Sequence, residues 1–551
     1  MMPTIAMDRF TYMVPQGEAL VQELSWTSVE IFQKVKRAES FLLRLGFRSG
    51  DRIVLGFRGN SPVEVFLREA CRNLEVCFSP LNLQADGPER ITYKIELLKP
   101  KAILLAEDLV GDSLFQRVPL PVVPITSDFI LPERKIPETS SGSPHGETIL
   151  FTSGTTSQPK GVLLSKGAYD ANELALRDLI SCDDQQALRI ILTNPLYHAN
   201  STAMQRFSFR RKNTHLELWD KFSNRVWNRV VHVLETTSDR IVMPLVARHI
   251  DFLFTETNGV VRKKLMERSD TSERIMWLLG SAPVGPQTVE RIVKVIGRPP
   301  LVRFGSTELC LQAIGIQSSQ PIDEIFSAFK KGYDHVWKGR ASKGYYIGQP
   351  HDGVTQVEIV RSIEPDHVQF MEAADEGEPG HLVVRSKAAM TGYVNVTNQP
   401  FVDGWYTNLG DIGYFLQSGS RRAFYWMTRS AGLLIRGGVN YSCAQLGDEI
   451  SRHLLRRDVS LAEESLELTV VGVKIRSEHD DDCCVLVELD GADQSERQER
   501  IRSLLEGDFR SELSKGARPD HVLFGQIPRN FKGAVRFSSV RDMFRQSKTA
   551  E

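Results

Sequence analysis

The sequence predicts an α/β protein: a large N-terminal domain on helix-covered parallel sheet, followed by a small α+β unit. Three observations predict it. Helical and strand signals alternate over roughly the first 140 residues, aromatic-rich short strands appear beyond about residue 390, and a compact unit runs from Arg429 to the end.

Residues 28–47 (SVEIFQKVKRAESFLLRLGF) carry apolar side chains at helical spacing and close on a glycine; DRIVLGF at 51–57 then reads as a short buried strand. The helix-then-strand pattern repeats in PVEVFLREACRNLEVCFSPLN at 62–82, and KAILLAED at 101–108 adds another strand. Such alternation implies a parallel sheet covered by helices. SSGSPHGE at 140–147 is a polar loop leading into the strand TILFTS, and YFLQSGSRRAFYWMT at 414–428 reads as a hairpin. In the C-terminal unit, LELTVVGVKI and CCVLVELD are strands, and ERQERIRSLLEGDFRSEL at 496–513 is an amphipathic helix.

At 551 residues the chain exceeds what one hydrophobic core serves, so two or more domains are expected. The composition, 41% apolar and 25% charged with a net charge of −1, argues against general nucleic-acid binding or a membrane-surface role. Apolar runs such as LRIIL fall far short of the ~20 residues of a spanning helix. MMPTIAMDRF carries Asp8 and has no apolar signal-peptide core. Seven cysteines, odd in number and without a CxxC pair, fit a reduced cytoplasmic protein, and Cys483-Cys484 is too tight for ordinary zinc spacing. The basic run FSFRRKN at 207–213 reads either as a solvated face or as a contact for CoA phosphates.

The densest chemistry lies at 151–161, FTSGTTSQPKG. Small residues leave backbone N–H groups free to meet an anion, hydroxyls add donors, and Lys160 can neutralise phosphate charge. It is not a Walker A loop, because Pro159 precedes the lysine and Gly161 follows it. The order TSGTT-x-x-PKG resembles the signature of the adenylate-forming superfamily, which includes acyl-CoA synthetases, luciferases and nonribosomal adenylation domains. Further blocks follow in that family's order. NPLYHAN (194–200) places His198 at the acyl pocket; LGSAPV (279–284) resembles the adenine-side loop; RFGSTE (303–308) resembles YGxTE with Phe304 for the tyrosine. WYTNLGDIG (405–413) supplies Asp411 for the ribose, and RSAGLLIRGGVNYSCAQL (429–446) follows the hinge and the glycine loop behind it.

The resemblance spans roughly residues 25 to 540 and implies a β-barrel-like subdomain in the N-terminal AMP-binding domain (1–428) and a mobile C-terminal domain (429–551). It also implies ATP or the AMP moiety of an acyl-adenylate, Mg²⁺, CoA as thiol acceptor and a carboxylic acid as substrate. Thr152 and Lys160 are carried over as catalytic, with Ser153, Gly154, Thr155 and Thr156 completing the phosphate loop. Gly280, Ser281, Ala282 and Pro283, with Phe304, Gly305, Ser306 and Thr307, are expected at the nucleotide. Glu308 is a hard oxygen ligand suited to Mg²⁺. Arg429 is implied to reach the ribose, and Gly437-Gly438 to line the thiol channel, where missing side chains allow close approach.

Departures fall on one side of this chemistry. Ser157 stands where the phosphate loop usually has a glycine, Leu409 replaces a threonine, and Ala431 replaces the polar latch of the hinge. Most important, IPRNFKGAVRF at 527–537 matches the family's P-R-x-x-x-G-K at Pro528, Arg529 and Gly533 but puts Ala534 at the position of the catalytic lysine. That lysine serves the adenylation conformation alone, and losing such a charge costs ~10²–10³ in rate. The pattern resembles a non-adenylating acyl-CoA ligase of specialised metabolism that depends on a partner ligase for its adenylate. A complete ligase using Lys532 or Arg536, and a binding pseudoenzyme without turnover, stay open on the sequence.

Overall fold

The computed structural model describes residues 5–16, 20–115, 118, 120–129, 146–152, 159–429, 433–437, 439–458, 466–489, 494–529 and 535–549. The first helix, Ser28–Arg44, shows how local chemistry sets the elements. Thr27 caps it with a reciprocal box, its N–H donating to Glu30 Oε2 at 2.8 Å. Ile31, Val35, Ala38, Phe41 and Leu42 then recur on one face and are buried.

Two sheets carry the N-terminal domain. In the seven-stranded sheet, Thr148–Thr152, Cys77–Pro80, Arg52–Gly56, Ala102–Ala106 and Val122–Ile125 run parallel in that spatial order. Strands covered on both faces read as unbroken apolar runs, as AILLA does. Lys160–Leu164 joins antiparallel, and Gly392–Tyr393 pairs with its outer edge.

In the larger sheet, Thr214–Trp219, Leu188–Leu192, Arg240–Val246, Ile275–Gly280 and Leu301–Phe304 lie side by side and parallel. The sheet then continues antiparallel through Ile314–Gly315 and Tyr345–Pro350 to the predicted hairpin of Asp411–Ser418 with Arg421–Arg429. The barrel-like part is therefore a hydrogen-bonded extension of the second sheet. An N-terminal hairpin, Arg9–Gln16 with Leu20–Thr27, closes the other edge. It was not anticipated by the helix-first reading, because its burial alternates only weakly and its pairing partner lies some 200 residues away.

In the C-terminal unit, Leu466–Val473, Asp482–Leu489 and His521–Phe524 form one sheet, and Leu433–Arg436 with Val439–Ser442 form a hairpin. Neighbouring strand residues serve opposite cores: Val470 and Cys483 pack with Leu434, Ile450 and Ile501, whereas Val471 and Cys484 pack with Val540 and Phe544. The two adjacent cysteines therefore face opposite ways and cannot share a ligand. The predicted helix at 496–513 instead runs Gln494–Glu506 and breaks at Gly507, where a Cβ would meet the Ser503 carbonyl at 2.4 Å. A short 3₁₀ turn, Asp508–Glu512, follows. Among the described residues, no helix is long and apolar enough to cross a membrane.

Candidate active site

Four adjacent parallel strands end together: Leu188–Leu192, Arg240–Val246, Ile275–Gly280 and Leu301–Phe304. Ligands of open α/β sheets settle at such carboxyl ends. Here the ends form one wall of a cleft of about 460 Å³, and Phe151 and Thr152, at the carboxyl end of a strand in the other sheet, complete it. Of the residues singled out in the sequence, Thr152, His198, Gly280, Ser281, Ala282, Pro283, Phe304, Gly305, Ser306, Thr307 and Gly437 all line this cleft.

Backbone constraints explain parts of the motifs. A Cβ on Gly305 would lie 2.2 Å from the Leu311 carbonyl, so the glycine permits the chain to cross itself behind Phe304. Ser281 and Leu311, both on the wall, hold positive φ of 67° and 101°. Backbone strain of this kind gathers at binding sites, where surrounding structure sustains it. Thr152 Oγ1 and Ser306 Oγ are buried without a protein partner. Such hydroxyls suit a ligand's phosphate or hydroxyl oxygens, and the cleft volume suits an adenylate.

His198 sits at the start of the helix Ala199–Arg210, its ring 4.6 Å from that of Tyr197. Burial pushes its pKa down to about 4, so at neutral pH it offers a neutral imidazole. His249, also on the cleft, stacks on Phe222 at 4.0 Å, and burial takes it to about 3.

Lys160 and Glu308 do not line the cleft directly; they meet at Tyr393. The lysine ammonium lies over the Tyr393 ring at 5.0 Å, and the Tyr393 hydroxyl donates to Glu308 Oε1 at 2.8 Å. Tyr393 also bonds the Tyr406 hydroxyl at 3.1 Å, linking the 405–413 block to the same cluster. The sequence reading missed Tyr393, since a Gly-Tyr pair on a short edge strand carries no local signal. Glu308 offers one carboxylate, which fits Mg²⁺ held chiefly by phosphates and water. Among the described residues, no group of three or more His, Cys, Asp or Glu could hold a metal ion.

Asp411 is 1% exposed and lies behind Trp426, whose indole N–H donates to its Oδ1 at 2.7 Å. Trp426 itself lines the cleft. The main chain of Arg429 pairs with that of Asp411 across the hairpin, bringing the two expected ribose positions into register. Ser153, Gly154, Thr155, Thr156, Ser157, Ala431, Gly438, Lys532, Gly533 and Ala534 lie outside the described residues.

The basic run at 207–213 is not a solvated face throughout. Arg211 is fully buried and donates to the carbonyls of Lys212 at 3.0 Å and Gln186 at 2.8 Å, while Arg210 pairs with Asp170 and Glu173.

The C-terminal unit meets the cleft with one end. Ile435 and Gly437 of its hairpin lie on the cleft. His479 Nδ1–H donates to the Pro283 carbonyl at 3.1 Å, and Nε2 lies 2.9 Å from Thr288 Oγ1. Lys474 Nζ sits over the rings of Tyr345 and Trp426 at 4.9 and 5.2 Å. Burial lowers that ammonium to about 8, and the aromatic faces offset part of the cost. The flanks of the Ala534 segment pair with each other and with the unit's own sheet: Arg529 bridges to Val535 and pairs with Glu467, and Val535 packs on the core of Val471 and Val473.

Comparison with known proteins agrees with this geometry. The family model described as AMP-binding enzyme matches residues 8–394. An indoleacetate–CoA ligase from Aromatoleum aromaticum is 26% identical over 507 residues, covering 88% of this chain and 86% of its own. A crotonobetaine/carnitine–CoA ligase from Escherichia coli O9:H4 is 24% identical over 491 residues, covering 81% and 83%. Among solved structures, a double mutant of o-succinylbenzoate CoA synthetase from Bacillus subtilis superposes with a TM-score of 0.69 at 20% identity, covering 98% of this chain and 96% of that one. The amide bond synthetase McbA from Marinactinospora thermotolerans gives 0.66 at 18%, covering 94% and 95%. The chain belongs to the AMP-binding enzyme family, the adenylate-forming superfamily in which its CoA-ligase relatives fall.

Proposed function

We propose that this protein is an acyl-CoA ligase that forms the thioester from an acyl-adenylate and CoA, with adenylation lost or strongly impaired. One observation carries the reading: residue 534 is alanine where the family's catalytic lysine stands. Relatives named as CoA ligases along most of the chain support the reaction class. The placement of Ile435 and Gly437 on the cleft supports the half-reaction.

In this reading the acyl-adenylate lies along the carboxyl ends of the parallel strands. Phe304 and 280–283 hold the base, and Thr152 and Ser306 the phosphate. The family resemblance adds Asp411 and Arg429 at the ribose and Lys160 with 153–156 at the phosphate, which requires Asp411 to be uncovered from behind Trp426 and Lys160 to swing from the Tyr393 ring. The CoA sulfur attacks the acyl carbonyl carbon; the C–S bond forms, the C–O bond to phosphate breaks, and AMP leaves with the electron pair while the thiol proton passes to solvent. Gly437-Gly438 line the thiol's approach. Removing the lysine charge leaves this step untouched, because that charge serves the approach of carboxylate to the α-phosphate. Glu308 would hold Mg²⁺, whose charge offsets phosphate repulsion when bound. The division near 428/429 is the swivel, and a partner ligase supplies the adenylate.

Separate assays of the two half-reactions test this. Supplied acyl-AMP with CoA should give acyl-CoA, and ATP–pyrophosphate exchange on the free acids should be negligible. Robust exchange by the purified protein would sink the reading, and tight adenylate binding without any thioester would point to a pseudoenzyme.

A further inference from the structure

Arg303, at the end of the strand Leu301–Phe304, lines the cleft yet is only 5% exposed. Its neighbours there are neutral. Nη2 donates to Asn200 Oδ1 at 2.9 Å, Nη1 reaches the Met204 sulfur at 3.9 Å, and Nε has no partner. Four other buried arginines face carboxylates, whereas Arg298 shares with Arg303 an unpartnered Nε and neutral hydrogen-bond partners. Arg68 faces Glu64, Arg189 faces Glu217, Arg206 faces Glu147 and Arg211 faces Asp184; Arg298 bonds two carbonyls, and unlike Arg303 it does not line the cleft. Burial lowers Arg303 to about 9, which leaves it cationic at neutral pH. Among the described residues lining the cleft, it is the only permanently charged side chain.

A buried cation without a counter-charge is costly, and folded proteins seldom keep one unless something else completes it. Arg303 faces Asn200, two residues beyond His198, on the first turn of the helix Ala199–Arg210. Thr152 belongs to the other sheet. The guanidinium is thus set among the helix side of the pocket, where the acyl group rather than the phosphate would lie.

We propose that Arg303 pairs with a second carboxylate carried by the acyl group itself, so that the substrates are dicarboxylic acids activated through one carboxyl. This rests on the reading of the cleft as an acyl-adenylate site. A bidentate guanidinium–carboxylate pair would satisfy both the charge and the unpartnered Nε.

The test uses three matched sets of acyl-sulfamoyl-adenosines, stable mimics of the adenylate, ending in carboxylate, carboxamide or methyl, at four to six carbons and on a benzene ring. Calorimetric binding to the wild-type protein should favour at least one carboxylate member by about 10- to 100-fold over its neutral partners, the range for hydrogen bonds to a charged group. Arg303→Met should erase that preference while the neutral members keep their affinity, and Arg303→Lys should retain part of it. Equal wild-type affinity for all three end groups would overturn the inference. So would an Arg303→Met loss shared equally by all three, which would assign the arginine to the nucleotide. Binding is scored separately from thioester formation from the matching adenylates. Discrimination without thioester refutes the proposed reaction alone; thioester formation without discrimination refutes only the dicarboxylate inference.

Discussion

The two sides of the cleft are built in different ways. The N-terminal side hangs on a continuous sheet whose strands Ile275–Gly280 and Leu301–Phe304 are almost wholly buried, and its loops are fixed by crossings such as Gly305 against Leu311. The C-terminal side touches it through a few polar and aromatic contacts: His479 with Pro283 and Thr288, and Lys474 with Tyr345 and Trp426. It keeps two cores of its own. One side is a continuous buried sheet, and the other is a separately packed face that reaches the cleft at Ile435 and Gly437. In the proposed function, a change confined to the C-terminal unit removes one half-reaction and leaves the wall intact. The predictions below probe that asymmetry.

The largest expected effect comes from Ala534→Lys. Restoring the ammonium should raise ATP–pyrophosphate exchange on a matching acid by up to ~10²–10³. Thioester formation from supplied acyl-AMP should change little. If exchange does not rise, Ser157, Leu409 and Ala431 limit adenylation instead. If both half-reactions change together, the two ends of the C-terminal unit are not independent.

The permanent wall was largely legible in the sequence, and the docking face was not. Apolar runs such as RIVLG and AILLA name buried parallel strands directly, and the ordered motifs place Thr152, His198, Phe304 and Thr307 on one cleft. Those signals are local. Tyr393 joins Lys160 to Glu308 only because an edge strand pairs across the other sheet, and no spacing announces it. Arg303 stood in plain view beside the GSTE motif, but its chemistry lies in what it fails to touch, which only packing reveals. His479 carries no local signal; its contact with the Pro283 carbonyl depends on a loop nearly 200 residues away.

Gly437→Val comes next in size. The position lines the cleft and holds φ of 59°, and among the described residues a Cβ there meets only Lys515 Nζ, at 3.7 Å. A branched side chain there is strained and adds bulk where the proposed function has the thiol approach. Thioester formation should fall by about 10- to 100-fold, judging from ~1–3 kcal/mol of strain, whereas affinity for an acyl-sulfamoyl-adenosine should stay within about threefold. A matching loss of nucleotide affinity would break the proposed division between wall and face.

His479→Ala tests the fastening itself. It deletes the bond to the Pro283 carbonyl and leaves Thr288 without its imidazole partner. A loss of ~1–1.5 kcal/mol in docking corresponds to about tenfold in the docked population. Hydrogen exchange should rise at 283–288 and 474–481, and thioester turnover should fall by up to tenfold. Unchanged exchange at both segments would mean that Lys474 and the aromatic contacts hold the unit alone.

The smallest effect is a pH profile expected to be flat where an ordinary histidine would titrate. Burial holds His198 near 4 and His249 near 3, against an ordinary value of 6.5. Both are neutral in the folded cleft at pH 7. Between about 4 and 6.5 the unfolded chain binds more protons at these sites than the folded one, so stability falls as pH drops through that window and gains nothing above it. The thioester step, followed as kcat/KM for a supplied adenylate, should therefore carry no histidine titration between pH 6 and 8 and should decline only towards pH 4. Desolvation is the cause of the His198 shift, so the profile also reports how closed the cleft is. An apparent pKa between 6 and 7 that disappears in His198→Asn would mean that the imidazole is solvated in the working enzyme. The C-terminal face would then stand away from the wall for most of the catalytic cycle, and the docked geometry would be a brief state rather than the resting one.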